Sequence, residues 1–251
     1  MSVMPMEIGE VQSAFFDLDD SKVGPMFPQS SLSGQERARA AGYRSSRDRE
    51  RFVARRAILR FLLSEYLGQR PEAIAFLEAP GGRPFVEAPA GKPPVHFSVS
   101  HSQGMAAYAF GIDVRVGIDI ERVDRTIEYS QLARQFFTAS ECAQMAALEQ
   151  PDQANAFFVC WTRKEAYVKA AGIQPYDSFE IGIAGNEVVD HLRPHEDGRW
   201  TVESLDAPEG YKCSLVRRVP PVSPCGASLT RRGGSETRRT ARRGEARLTT
   251  T

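Results

Sequence analysis

Gly117-Ile118-Asp119-Ile120-Glu121 continues the β-branched run Val114-Arg115-Val116 and reads as the end of a strand. Side chains alternate along a strand, so Asp119 and Glu121 share one face. Downstream, Trp161-Thr162-Arg163-Lys164-Glu165-Ala166-Tyr167-Val168-Lys169 reads as a helix, with Glu165 and Lys169 four residues apart on one side. Three carboxylates that converge beside a lysine make an oxygen-rich place for Mg2+, with an ammonium to hold a phosphate. Each half alone has an ordinary explanation. Asp-x-Glu commonly marks a solvated strand end, and an exposed Glu–Lys helix pair contributes about 0.3–0.5 kcal/mol.

The chain around these segments alternates in blocks. Ser33-Gly34-Gln35-Glu36 has capping-box form and opens a short helix to about Ala41. Ser45 or Ser46 starts a longer helix, in which Phe52, Leu59, Leu62, Leu63 and Tyr66 recur at helical spacing and Gly68 suits the position just past the end. Its opposite face carries Arg51, Arg55, Arg56 and Arg60, a pattern that ordinarily marks solvated surface. After a Pro/Gly-rich stretch come three strands, Val95–Ser100, Ala106–Phe110 and Val114–Glu121. Thr138-Ala139-Ser140-Glu141 is a second capping box, for a helix through Leu148. Pro151-Asp152 begins the long helix that Gly172 ends, and Phe179–Ile183, Glu187–Val189, Arg199–Ser204 and Tyr211–Val216 are strand-like. Helix then strands, twice over, predicts an α+β fold of two halves with antiparallel sheets rather than βαβ units.

Gly-Ile-Asp-x-Glu followed by Trp-Thr-x-Lys-Glu-Ala-x-x-Lys resembles the signature of the 4′-phosphopantetheinyl transferases of the Sfp-like type. Trp161, Lys164, Glu165, Ala166 and Lys169 fill the positions of the second segment. His96-Phe97-Ser98-Val99-Ser100-His101-Ser102 resembles the family's Ser-His element, and Gly82-Arg83-Pro84 its Gly-Lys-Pro element with arginine in place of lysine. Charge survives that change, though a guanidinium presents its donors as a fork. The resemblance spans about Leu32 to Val216.

The resemblance implies two similar subdomains, 1–112 and 113–219, with the active site between them; composition sets off 220–251 as a basic tail. It implies transfer of the 4′-phosphopantetheine arm of coenzyme A to a serine of an apo acyl, peptidyl or aryl carrier protein, releasing adenosine 3′,5′-bisphosphate. By the same analogy Asp119, Glu121 and Glu165 hold Mg2+. Glu165 activates the carrier serine directly or through a metal-bound water, and Lys169 steadies the phosphoryl oxygens. Ser100, His101 and Arg83 meet the diphosphate region, and Arg51 and Arg56 the 3′-phosphate. Members with two fused halves act alone, so a monomer is expected, and the length resembles members serving peptide or polyketide synthesis. A Mg2+-dependent phosphodiesterase would use the same carboxylates but gives no reason for Trp161 and Lys164. An inactive carrier-binding module would not need Asp119, Glu121, Glu165 and Lys169.

Composition agrees with a globular protein: 251 residues, 41% hydrophobic and 25% charged. No run approaches the roughly 18 apolar residues of a membrane span. Met1–Glu7 lacks the basic flank and apolar stretch of a secretion signal, and Cys142, Cys160, Cys213 and Cys225 show no close pairing, so a cytoplasmic protein is expected. From Arg217 onward nine arginines face two glutamates, although the whole chain is neutral. The stretch from Pro220 is poor in large apolar residues and reads as disordered. It contains no aromatic residue for base stacking, so no nucleic-acid role is expected.

Overall fold

The computed structural model describes residues 6–79, 82–172, 179–190, 199–219 and 248–250. In chain order the strands are β1 (Val11–Asp17), β2 (Leu77–Glu78), β3 (Pro84–Phe85), β4 (Val95–Ser102), β5 (Met105–Ile112), β6 (Val116–Arg122), β7 (Phe179–Glu180), β8 (Val189–Asp190), β9 (Arg199–Leu205), β10 (Tyr211–Val219) and β11 (Leu248–Thr250). The helices are α1 (Val23–Met26), α2 (Gly34–Ala41), α3 (Ser46–Leu67), α4 (Tyr129–Phe136), α5 (Ala139–Ala146) and α6 (Gln150–Ala171). The fold is α+β. One antiparallel sheet runs β11-β1-β5-β4 and a second runs β6-β10-β9, with two small hairpins, β2-β3 and β7-β8.

The two long helices are built alike. Each has 22 residues and ends on a glycine in the left-handed region, Gly68 at φ 66° and Gly172 at φ 69°. There the missing Cβ removes the steric cost of that backbone conformation. Ser45 starts α3 by accepting the Asp48 N–H. Both expected capping boxes form, at Ser33/Glu36 and Thr138/Glu141.

Strand alternation sets the layers. Ala106, Tyr108 and Phe110 of β5 pack toward α3 with Ala57, Ile58 and Leu62. Ala107 and Ala109 of the same strand face the other way, onto Val116, Ile118 and Ile120 of β6 and Leu215 of β10. The two sheets thus meet in the middle, with α3 outside one and α6 outside the other. Ala166, Tyr167 and Ala170 of α6 pack on Val216, Val202 and Trp200.

The remaining face of β6 carries Gly117, Asp119 and Glu121. A Cβ at Gly117 would lie 2.0 Å from the Ala166 carbonyl oxygen and 2.6 Å from the Ala170 N, so the α6 backbone rests directly on β6. Only glycine permits that approach.

Several expectations need correction. β1 and α4 were not anticipated, although β1 lies between β5 and β11. The strand expected over Phe179–Ile183 shortens to Phe179–Glu180, because the Ile181 N–H turns to the Glu141 carboxylate. The Glu187–Val189 strand becomes a single bridge at Glu187 and the pair Val189–Asp190. The arginine face of α3 is not uniformly solvated: Arg60 is 2% exposed. Of the expected disordered stretch, 220–247 and 251 lie outside the described residues, and Leu248–Thr250 pairs antiparallel with β1.

Gly117→Ala must push α6 off β6. We expect a loss of about 1–3 kcal/mol, as for overpacked cores, read as a lower urea midpoint. An unchanged midpoint would show that α6 does not depend on this contact.

Candidate active site

β4 is the strand on which the site is assembled. Its even positions face β6, and three of them are serines. Ser98 Oγ accepts the Ile118 N–H at 3.0 Å. The Ser100 hydroxyl donates to Asp119 Oδ1 at 2.7 Å, and the Ser102 hydroxyl to Glu121 Oε2 at 2.6 Å. The edge strands of the two sheets are therefore joined through side-chain hydroxyls. His101, of opposite phase, is exposed and opens onto a cavity of about 760 Å3 between the halves. Asp119, Glu121, Glu165, Lys169, Trp161 and Ser100 line that cavity from one side, and Arg39, Arg55, Arg56 and Glu36 from the other.

Asp119 is 2% exposed. Lys169 Nζ donates to its Oδ1 at 2.6 Å and to Ser100 Oγ at 3.0 Å. Asp119 Oδ2 is buried and has no hydrogen-bond partner among the described residues. Burial pushes the Glu121 carboxyl above its ordinary value; Asp119 and Glu165 push the same way, and the Ser102 hydrogen bond and Lys169 oppose them. An orphaned buried carboxylate oxygen and a desolvated carboxyl beside it are both stabilised by a cation. This donor set, all oxygen, fits a hard cation such as Mg2+. Among the described residues, however, no three His, Cys, Asp or Glu side chains are gathered closely enough to hold a metal ion. Asp119 and Glu121 form the two-carboxylate platform, and Glu165 lines the same cavity without closing a cage.

The arginines divide by partner. Arg51 is fixed by Asp19 through Nε at 2.8 Å and Nη2 at 2.6 Å, and does not line the large cavity. Arg56 and the buried Arg60 both pair with Glu36, and both guanidinium groups lie over the Phe76 ring. Arg55 makes no ion pair among the described residues, and burial lowers its pKa from the ordinary value. A desolvated cation without a counter-charge, facing a cavity, suits an anionic ligand. Nothing in the arginine spacing distinguishes Arg55 from its neighbours. The positions of Glu36, on another helix, and of Asp19, just after β1, do so. Arg83 Nη1 donates to the Ala170 carbonyl at 3.0 Å and Nη2 to Val116 at 3.3 Å. It lines an adjoining cavity of about 630 Å3 with Arg56 and Lys169, whose lining carries no carboxylate.

The two lysines of the helix segment have different surroundings. Lys164 is 1% exposed and donates to both oxygens of the fully buried Glu141, at 2.9 and 3.1 Å, and to the Phe179 carbonyl. Glu141 also accepts the Ile181 and Thr138 N–H groups. One carboxylate thus ties together α5, α6 and the β7 loop. Lys169, by contrast, is 30% exposed and faces the cavity.

Residues 115–216 match the 4′-phosphopantetheinyl transferase superfamily, and residues 26–110 match the 4′-phosphopantetheinyl transferase N-terminal family. The chain is 35% identical over 158 residues to the 4′-phosphopantetheinyl transferase HetI of Nostoc sp., covering 62% of this chain and 67% of that one. It is 31% identical over 191 residues to the transferase gsp of Aneurinibacillus migulanus, covering 75% and 77%. To the transferase Sfp of Bacillus subtilis it is 24% identical over 192 residues, covering 75% and 83%.

The chain belongs to the 4′-phosphopantetheinyl transferase superfamily.

For this transferase the geometry separates framework from cavity within a single helix. Lys164 serves the framework, and Glu165 and Lys169 serve the cavity. No helix among the described residues is long and apolar enough to cross a membrane, and Cys142, Cys160 and Cys213 are free thiols. Lys164→Ala leaves Glu141 buried without its cation, and should lower stability by about 3–5 kcal/mol, measured by urea unfolding. A change below about 1 kcal/mol would contradict the framework role.

Proposed function

We propose that this transferase moves the 4′-phosphopantetheine arm of coenzyme A to a serine hydroxyl of an apo carrier protein, with Mg2+, at the Asp119–Glu121–Lys169 cluster. The observation that carries the site assignment is the buried Asp119 Oδ2, without a hydrogen-bond partner among the described residues, beside Lys169 in a cavity whose opposite wall is arginine-rich. The reading takes residues 1–112 and 113–219 as the two subdomains. The separate family matches to residues 26–110 and 115–216 support it.

In this reading the carrier serine oxygen bonds to the phosphorus that bears the pantetheine. The bond from that phosphorus to the bridging oxygen breaks, and adenosine 3′,5′-bisphosphate leaves. Glu165 takes the serine proton; it lines the cavity one helical turn from Lys169. Lys169 stabilises the oxygen charge that grows as the bridge breaks. Asp119 and Glu121 would hold the ion, with Glu165 able to join them. Bound there, Mg2+ would neutralise the diphosphate. Ser100 holds Asp119 and Lys169 in register, and His101 meets the diphosphate at the cavity mouth. Arg83 lends positive charge from the adjoining cavity. Because Arg51 is held by Asp19 and does not line the cavity, whereas Arg55 and Arg56 do, the 3′-phosphate falls to Arg55 and Arg56. Free thiols fit a cytoplasmic protein, and fused halves fit a monomer.

Incubation with coenzyme A, Mg2+ and an apo carrier protein should add one phosphopantetheine to the carrier by mass. Unmodified carrier, with hydrolysed coenzyme A instead, would favour a phosphodiesterase. Asp119→Asn keeps shape and removes charge; we expect turnover to fall on the order of 100-fold and the Mg2+ half-saturation to rise. Equal half-saturation would remove Asp119 from the site. Arg55→Ala should weaken coenzyme A more than dephospho-coenzyme A in calorimetry. An equal loss for both ligands would withdraw the 3′-phosphate assignment.

A further inference from the structure

We infer that Ser102 is a positioning residue for the transfer reaction: its hydroxyl fixes the Glu121 carboxylate in the orientation that receives the cation. The inference rests on the metal reading given above.

Ser102 is the last residue of β4, before the Gln103-Gly104 turn, with Gln103 at φ 53°. Its backbone pairs with Met105 across that turn. The hairpin therefore fixes the Cα and Cβ of Ser102. Its hydroxyl is fixed as well. The oxygen accepts the Arg122 N–H at 3.1 Å, and the single proton goes to Glu121 Oε2 at 2.6 Å. A hydroxyl held at its oxygen by a backbone donor has one useful direction left for its proton. One carboxylate oxygen of Glu121 is thus tied to the frame, and the other is left for a ligand.

Glu121 needs such a tie. It stands near the end of β6, where the strand leaves the sheet. It makes no ion pair among the described residues, and Lys169 is engaged by Asp119. A side chain with three rotatable bonds samples several rotamers unless an outer partner selects one, and partners of this kind tune metal affinity.

The three serines of β4 provide an internal control. Ser98 bridges the same two strands through the Ile118 backbone and touches no carboxylate. Ser98→Ala and Ser102→Ala each remove one hydroxyl bridge of the seam. Only the second frees a carboxylate.

Mn2+ binding, followed by the electron paramagnetic resonance signal of the free ion with coenzyme A present, tests this apart from turnover. We expect Ser102→Ala to raise the Mn2+ Kd by about 10-fold or more. Ser102→Thr, which keeps the hydroxyl, should restore it, and Ser98→Ala should leave it unchanged even where its melting temperature falls. A Kd for Ser102→Ala within about twofold of the unaltered protein, or an equal loss in Ser98→Ala, would overturn the proposal alone, since the twofold margin lies well below an outer-partner effect. If the unaltered protein binds no Mn2+ at all, the metal reading falls and this proposal with it.

Discussion

The contact of α6 with the bare backbone of β6 at Gly117 fixes the rest of the site. A side chain there would meet the Ala166 carbonyl and the Ala170 N. With glycine, the helix settles at backbone distance from the strand. Two residues along the strand stands Asp119, and three residues along the helix from Ala166 stands Lys169. Their 2.6 Å ion pair follows from that seating. The helix side chain nearest this contact is Ala170, whose Cβ lies 2.9 Å from where a Gly117 Cβ would stand. Gly117 therefore belongs to a motif whose chemistry it does not perform because it seats the helix that carries Lys169.

Electrostatics then sorts the charged groups into two classes. Ions held by several donors carry structural loads: the fully buried Glu141 with Lys164, and Glu36, 11% exposed at its side chain, with the buried Arg60. Each acid accepts several donors, which is what makes burial of charge tolerable. Two groups left with unused capacity among the described residues lie on the cavity between the halves. Asp119 Oδ2 lacks a donor, and Arg55 lacks a counter-ion among the described residues. In the proposed reading, the site keeps part of its charge unsatisfied until an anionic diphosphate and a cation arrive.

The elements around the motifs were legible because their signals are local. Capping boxes, glycine ends and strand alternation each depend on a few neighbouring residues, and all formed as expected at Ser33, Thr138, Gly68 and Gly172. β1 was missed because its central place in the sheet buries Gln12 and Ser13, which blurs the alternation. Gln12 is satisfied by Tyr66, far away in sequence. The hairpin positions of Ser98, Ser100 and Ser102 were visible, but not that they would face the carboxylates. That depends on how two sheets meet. The arginines of α3 could not be ranked, because Glu36 and Asp19 reach them from other elements.

In the proposed function the buried Asp119 oxygen is the point where cation and diphosphate meet. Crystals soaked with coenzyme A and Mn2+ test this directly through anomalous scattering. The account predicts a manganese peak at inner-sphere distance, about 2.1 Å, from Asp119 Oδ2 and a Glu121 oxygen, with the diphosphate between it and Lys169. A diphosphate bound with manganese elsewhere, or with Asp119 Oδ2 still unpartnered, would contradict it.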